Sequence, residues 1–464
     1  MELTAAKVVS FTGGRLTSGR AETPIESVSI DSRTIEPGGL FFAIVGHRFD
    51  GHRFVTQALE RGAVGAVVSQ PLPETAEGEE GVRIHVKDTA VALQNLANGV
   101  RRSAKIKVAA ITGSVGKTTA KEATAAALAV RFRVLKSEGN LNNLYGLPLS
   151  ILRLKDEEAA VLEMGMSAPG EIARLTEIAG PDVGVLLNVA EVHREFFPSL
   201  QAIAKAKGEL FAGLGKGAIA VVNADDPLVL EQARRFSGRH MRFGVGEAAE
   251  LRAGEITRTP EGLRFMAGIN TESAEVRASL HGAHNVYNLL AALAVAHALG
   301  ISLVEAAGGL RGLRPAPHRG ERILFQTGPL VIDETYNSNP AAVSAALDSL
   351  SKEDGARRIA VLGDMLELGE RAELLHLECG RRAAESGLSL LIGVGRLGTL
   401  IVEGARRAGM PETELVTAHD AAEAGAILAR RAGRGDVVLL KASRGVALEA
   451  ALAVLRDRFT AESD

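Results

Sequence analysis

The chain has 464 residues, which at roughly 150 residues per domain implies about three domains. Hydrophobic residues make up 46% and charged residues 23%, so an ordinary folded protein is expected and disordered, collagen-like and disulfide-scaffold classes are excluded. With 53 basic against 56 acidic residues the formal net charge is -3, which argues against a general nucleic-acid or anionic-membrane binder and leaves any polyanionic ligand to local groups.

The single cysteine, Cys379, has no partner for an intramolecular disulfide and no Cys/His zinc cluster around it, so a reducing cytoplasm is the expected compartment. The first residues carry an acid at position 2 and no apolar stretch, and a cleaved secretory signal is not expected. The most apolar helical stretch, Leu289 to Leu299, is too short to span a bilayer, so no membrane insertion is expected.

Taken in chain order, residues 31–43 and 46–52 read from pattern alone as turns between strands. The polar, acid-rich stretch Pro71 to Gly81 breaks this first segment, and a basic patch, Arg101 to Lys105, leads into a strand at Val108. From there short β-branched runs alternate with Ala-rich stretches of helical length, as βα units on parallel sheets require. Strands are predicted at Val108 to Ile111, Ala160 to Leu162, Val183 to Asn188, Ile219 to Asn223, Leu330 to Ile332, Arg358 to Leu362, Leu390 to Val394 and Asp436 to Lys441. A helix over Asn285 to Leu299 is followed by the Gly/Arg/Pro stretch Gly309 to Pro315, which reads as an exit linker. The chain therefore divides into 1–104, 105–312 and 313–464, all α/β.

The most informative segment runs strand, glycine turn, helix from Ile106 to Val130. Gly113 and Gly116, with Ser114 and Val115 between them, let the backbone fold around a phosphate chain with its N–H groups inward. The helix start at Lys117, Thr118 and Thr119 adds a partial positive charge, the Lys117 ammonium neutralises phosphate oxygens, and the Thr118 hydroxyl suits Mg²⁺. The general phosphate-loop pattern would put its first glycine at Ile111, and here it sits at Gly113, so the match to that pattern is incomplete. Glu163 follows a strand-like run and lands at a strand's carboxyl end, where open α/β sheets bind ligands. One carboxylate, one hydroxyl and phosphate oxygens are chemically enough for Mg²⁺. His193 is a lone histidine after a strand, and Lys207 ends an amphipathic helical run in which lysines are ordinarily solvated. There is no Trp, and the three tyrosines, Tyr145, Tyr287 and Tyr336, all lie among asparagines, groups that suit a nucleobase or peptide edge.

Thr112 to Thr119 resembles the shortened phosphate loop of the Mur ligases, ATP-dependent amide-forming enzymes of peptidoglycan precursor synthesis. Residues 139–143, 163–165, 188–193, 206–211 and 282–288 resemble that family's central motifs in the same order, and residues 31–52, 331–340, 362–369 and 440–444 extend the resemblance over essentially the whole chain. It implies a small N-terminal α/β UDP-sugar domain, a central P-loop mononucleotide-binding parallel-sheet domain and a C-terminal Rossmann-like α/β domain. It also implies ATP, held by Gly113, Ser114, Val115, Gly116, Lys117, Thr118 and Thr119, with Asn285 and Asn288 near adenine and Asp333, Tyr336 and Asn337 from the last segment. Arg319 is the implied phosphate-contacting arginine, with Arg322 as the alternative, because His318 stands where the family often has glycine. Two Mg²⁺ ions are implied on Thr118, Glu163, His193 and a carbamylated Lys207, with Lys117, Lys207 and His193 as catalytic residues. Ser32, Arg33 and the backbone at Gly46 are implied for uridine and diphosphate, and Asn142, Asn143, Asn339, Lys441, Ser443 and Arg444 for the other substrate groups. Ala442 replaces a usual glycine beside them. The activity implied is ligation of D-alanyl-D-alanine to UDP-N-acetylmuramoyl-tripeptide through an acyl phosphate, in a monomer with no nucleic-acid partner. The alternative is the related ligase that adds the third residue, lysine or diaminopimelate, to the dipeptide.

Overall fold

Each of the eight β-branched runs forms a strand, and all eight fall in two large sheets. The computed structural model describes residues 2–46, 49–71, 81–191, 195–259 and 261–459. Between Arg15 and His85 lies a five-stranded sheet in the order Arg15–Ser18, Val82–His85, Gly65–Val68, Gly39–Phe42, Ser27–Ser29, antiparallel at its first pair and parallel elsewhere. The central sheet has nine strands in the order Glu272–Ala278, Gly262–Ile269, Leu251–Thr259, Arg239–Gly244, Ile219–Asn223, Val183–Leu186, Lys107–Thr112, Ala159–Glu163, Val134–Lys136. The third sheet has six: Glu321–Leu324, Leu330–Glu334, Val437–Lys441, Arg358–Gly363, Leu390–Val394, Leu415–Ala418, antiparallel only at its first pair.

The central strands Lys107–Thr112 and Ala159–Glu163 are buried along nearly all their length, as a parallel strand covered on both faces must be. The helix His284–Ala298 is apolar on all sides from Leu289 to Ala296 and is buried among the helices and strands of that sheet. One part of the sheet departs from the parallel expectation. Residues 251–278 add an antiparallel three-stranded meander, whose alternating in-and-out burial is the mark of a sheet covered on one face.

The first and central sheets share one apolar cluster, in which Leu40 and Ile84 pack with Leu93 and Leu96 and onward with Val108 and Leu162. The helix between them, Thr89–Ser103, is capped by Asp88, which accepts from Ala90 N and Val91 N. Its outer face is tied down as well: Arg101 donates to the carbonyls of Ala179 and Gly180 and pairs with Asp182 at 3.3 Å. The third sheet has its own clusters. At Ala442 the extra methyl is accommodated by a glycine opposite: a Cβ on Gly363 would lie 2.7 Å from the Ala442 Cβ. Among the described residues no helix is long and apolar enough to cross a membrane.

Candidate active site

A cavity of about 930 Å³ lies between the central and third sheets, lined by the loops at the carboxyl ends of their strands. On its central side stands the turn between the strand Lys107–Thr112 and the helix Lys117–Leu128. Gly116 adopts φ 85, a left-handed conformation that favours glycine, and a Cβ there would come within 2.4 Å of the Asn288 side-chain oxygen. Asn288 in turn donates to Asn285 Oδ1 at 2.8 Å, and Asn285 to the His281 carbonyl. The two asparagines thus brace the turn from behind.

The turn is also held by a residue the sequence argument passed over. Asn188 Oδ1 accepts from Ser114 N at 3.1 Å and Val115 N at 3.0 Å, and its Nδ2 donates to the Val115 carbonyl. Ser114 Oγ is held by Ala190 on both sides. Two of the loop amides expected to face phosphate are therefore already bonded, and the helix start at residues 116–119 supplies the donors without an intrahelical partner.

Lys117 and Lys207 meet on one acceptor. Lys117 Nζ donates to the Gly113 carbonyl at 2.9 Å and the Ser114 carbonyl at 3.4 Å, and Lys207 Nζ donates to the same Gly113 carbonyl at 3.0 Å. Lys207 is 1% exposed, so the solvated state its helical pattern suggests is not the one it adopts: the helix Leu200–Lys207 turns its last lysine inward, under the turn. Burial, with Lys117 beside it, drives the Lys207 pKa well below its usual value. Burial also lowers Lys117, with Glu163 opposing and Arg319 adding to the fall.

Across from Lys117, Glu163 is gripped at both oxygens, Oε2 by the Thr118 hydroxyl at 2.9 Å and Oε1 by Asn142 Nδ2 at 2.9 Å. Gly165 must be small there, because a Cβ would lie 2.9 Å from Asn142 Oδ1. No group of three or more His, Cys, Asp and Glu converges among the described residues, so no all-protein metal cage exists there. The donor set of Thr118 and Glu163 suits Mg²⁺, a hard cation that keeps waters and takes its remaining oxygens from phosphates. His193, the other expected ligand, lies outside the described residues.

The third sheet contributes a second charged wall. The Arg319 guanidinium stacks 3.8 Å from the Tyr336 ring centre, whereas Arg322 is engaged at both of its terminal nitrogens by Glu353 at 2.7 and 2.9 Å. Both arginines line the cavity, but Arg319 has no carboxylate partner among the described residues and acts on Lys117. Lys441 Nζ pairs with Glu334 at 2.8 Å and donates to the Asn337 carbonyl. Burial would raise the Glu334 pKa, but Lys441, then His284 and Arg319, outweigh it and hold the carboxyl below its usual range. Glu334, His284 and Asn188 line the cavity although no site role was expected of them; the signal that could have found them is their place in the family-like segments 331–340, 282–288 and 188–193.

Asp333 itself is fully buried, does not line the cavity, and is held by His318 Nδ1 at 2.8 Å and the Thr335 hydroxyl at 2.7 Å. His318 has φ 63, which accounts for a glycine being suited to that position. Several asparagines serve the backbone locally: Asn339 caps the helix Pro340–Leu350 through Ala342 N, Asn143 accepts from Tyr145 N and Gly146 N, and Asn337 from Ser338 N. Ser443 Oγ accepts from Leu366 N, and Arg444 pairs with Glu449 at 2.8 Å. All five nonetheless line the cavity, together with Asn142, Lys441, Tyr336 and the residues from Ser114 to Thr119. Gly113 does not, and neither does Lys207, which lies beneath the turn.

Ser32, Arg33 and Gly46 are not brought to this cavity and lie on loops that flank strands of the first sheet. Ser32 is buried and donates to Gln57, while Arg33 is exposed and pairs with Asp31. On the same side of the chain, His52 Nε2 accepts from Ser69 N and its Nδ1 faces Asp50 at 2.7 Å. Tyr287 is not in the cavity wall: it donates to Asp225, and burial followed by that carboxylate raises its pKa to about 12.

Residues 24–101 match the family model described as Mur ligase family, catalytic domain; residues 111–296 match Mur ligase middle domain; and residues 318–444 match Mur ligase, glutamate ligase domain. The UDP-N-acetylmuramoyl-tripeptide–D-alanyl-D-alanine ligase of Bacillus subtilis (strain 168) is 36% identical over 453 residues, 96% of each chain. The enzyme of the same name from Escherichia coli (strain K12) is 36% identical over 85% of this chain and 86% of its own. Among solved structures, MurF from Acinetobacter baumannii superposes with a TM-score of 0.89 at 33% identity, covering 98% of this chain and 99% of its own. MurF from Thermotoga maritima in complex with ADP gives 0.82 at 31% identity, covering 93% and 97%.

Proposed function

The chain belongs to the Mur ligase family, and from that membership we propose that it joins D-alanyl-D-alanine to UDP-N-acetylmuramoyl-tripeptide as ATP is cleaved to ADP and phosphate. One observation carries the proposal: a single cavity in which the phosphate loop of the central sheet faces Arg319, Tyr336 and Lys441 of the third. We assign the UDP-sugar group to residues 1–104, the nucleotide to 105–312 and the incoming dipeptide to 313–464, in a cytoplasmic monomer.

Chemically, the γ-phosphoryl group passes to the tripeptide's terminal carboxylate, and the dipeptide amine then displaces phosphate from the acyl phosphate and loses a proton. Lys117 and the amides at the helix start hold phosphate oxygens, and Arg319, unpaired where Arg322 is not, meets the same charge from the opposite wall. Asn285 and Asn288 hold the turn against the nucleotide's base side. Thr118 and Glu163 would hold Mg²⁺, which when bound neutralises charge on the phosphates. His193 and a carbamylated Lys207 complete the proposed ligand set. What favours the carbamate is the Lys207 environment: the amine is buried, its pKa is depressed, and its one acceptor is shared with Lys117. A neutral amine is the form that combines with CO₂.

Mass detection of product tests the proposal. Incubation with ATP, Mg²⁺, D-alanyl-D-alanine and UDP-N-acetylmuramoyl-tripeptide carrying either lysine or diaminopimelate should give a pentapeptide from at least one tripeptide. Product formed instead from the dipeptide and a free amino acid would assign the chain to the ligase that adds the third residue.

A further inference from the structure

Behind the Glu163 carboxylate lies a lysine that the chemistry above does not use. Lys121 sits one helical turn beyond Lys117 and Thr118, on the same helix, and is 1% exposed. Its Nζ donates to the Ser137 carbonyl at 2.6 Å and pairs with Glu122 Oε1 at 3.1 Å, while Glu122 also pairs with Lys136. A helical lysine ordinarily carries its ammonium out to water along an apolar stem. This one is directed inward, onto the end of the neighbouring strand Val134–Lys136.

Its acceptor is itself buried and committed. Ser137 N donates to the Val161 carbonyl at 3.1 Å, and Ser137 Oγ accepts from Glu163 N at 3.2 Å. Five residues on, Asn142 grips Glu163 Oε1, and Thr118, on the helix of Lys121, grips Oε2. Lys121 therefore links the two elements whose side chains hold the two oxygens of one carboxylate. Stability alone does not call for a cation here, since replacing buried ionic groups with well-packed apolar side chains is often neutral or stabilising.

We infer that Lys121 is a positioning residue: by fixing Ser137 against the phosphate-loop helix it keeps the Glu163 carboxylate aimed at the nucleotide-bound metal. The inference rests on the nucleotide and Mg²⁺ roles proposed above. Mn²⁺ binding to the full-length protein with ADP, followed by electron paramagnetic resonance, reads the effect without turnover. Lys121→Met should weaken Mn²⁺ by roughly tenfold or more, as loss of a group orienting a metal ligand does. The Mg²⁺ needed for half-maximal turnover should rise by a similar factor, with a smaller fall in kcat at saturating metal. Lys121→Gln, which retains a donor for the Ser137 carbonyl, should bind Mn²⁺ between the two. Glu122→Gln removes the ion pair but leaves the Ser137 bond, so it should keep wild-type Mn²⁺ affinity whatever its melting temperature.

Wild-type affinity in Lys121→Met overturns the inference, as does a Glu122→Gln loss equal to that of Lys121→Met, which would reduce Lys121 to half of a stabilising pair. Should Lys121→Met not fold, Lys121→Gln decides alone: weakened binding supports the inference and unchanged binding overturns it. A wild-type protein that binds no Mn²⁺ with ADP removes the proposed metal role itself, and the inference with it.

Discussion

Gly116→Ala should be costly in a way that can be divided into two parts. The residue sits at φ 85 and ψ -7, where an L-residue with a Cβ costs about 1–2 kcal/mol. The new methyl would also lie 2.4 Å from Asn288 Oδ1, so Asn288 has to move. Moving it breaks the buried 2.8 Å bond to Asn285, and leaving that donor unsatisfied costs about 1–3 kcal/mol. The total is about 2–5 kcal/mol, to be read as a lower urea midpoint at unchanged slope. In an Asn288→Ala background the steric part disappears, and Gly116→Ala should then cost only the conformational 1–2 kcal/mol or so. ADP affinity, measured by calorimetry, should fall with Gly116→Ala because the amides at the helix start shift with the turn. Equal losses in both backgrounds would refute the contact between Asn288 and the turn, and no loss in either would refute the left-handed requirement at Gly116.

Lys117→Ala should leave the unfolding transition nearly in place, because Nζ touches only two carbonyls, while ADP formation falls by roughly a hundredfold to a thousandfold or more; unchanged turnover would remove the phosphate-loop assignment. Lys207→Met should abolish ligation yet stabilise the fold in CO₂-free buffer at neutral pH. The native pKa of Lys207 lies well below 10.5, so the penalty of the buried ammonium is full below that native pKa and is released as pH rises toward 10.5. The advantage of Lys207→Met should accordingly shrink with rising pH across that window, and an advantage that grows instead would refute a lowered pKa. Small-angle scattering should show a smaller radius of gyration with ATP and UDP-substrate together, since the walls of one cavity come from two sheets; identical profiles under saturating ligands would count against closure.

What the sequence made legible follows from which forces act locally. Strands buried on both faces read as nearly continuous apolar runs, so Val108 to Ile111 and Leu390 to Val394 were visible as such. The meander at 251–278 was not, because a sheet exposed on one face alternates apolar and polar residues, and Gly254, Gly262 and Gly268 interrupt that alternation. At the site, chemistry carried by residue type was readable: a glycine turn, a lysine and a threonine announce a phosphate. Long-range partners were not. Nothing in the local pattern says that Asn188 will occupy the amides of Ser114 and Val115, 74 and 73 positions away, or that Glu353 will claim Arg322 and leave Arg319 open. Lys207 and Lys121 illustrate the same limit, since helical periodicity ranks a lysine as solvated and only tertiary packing turns it inward.

A protein of net charge -3 binds a polyanion only if its cations converge, and here each of them is held on a partner within the fold. Lys117 rests on two carbonyls, Arg319 on the Tyr336 ring, Lys441 on Glu334 and Arg444 on Glu449. These partners differ in how readily they yield. A carbonyl or an aromatic face gives up a cation to phosphate without leaving a buried charge behind, whereas Glu334 released from Lys441 would keep a carboxylate in a partly covered site. Lys117 and Arg319 are therefore free to turn to the nucleotide while Lys441 stays on Glu334. Phosphate arriving between Lys117 and Arg319 also offsets the repulsion that, after burial, helps to lower the Lys117 pKa, so one anion is favoured by both walls at once.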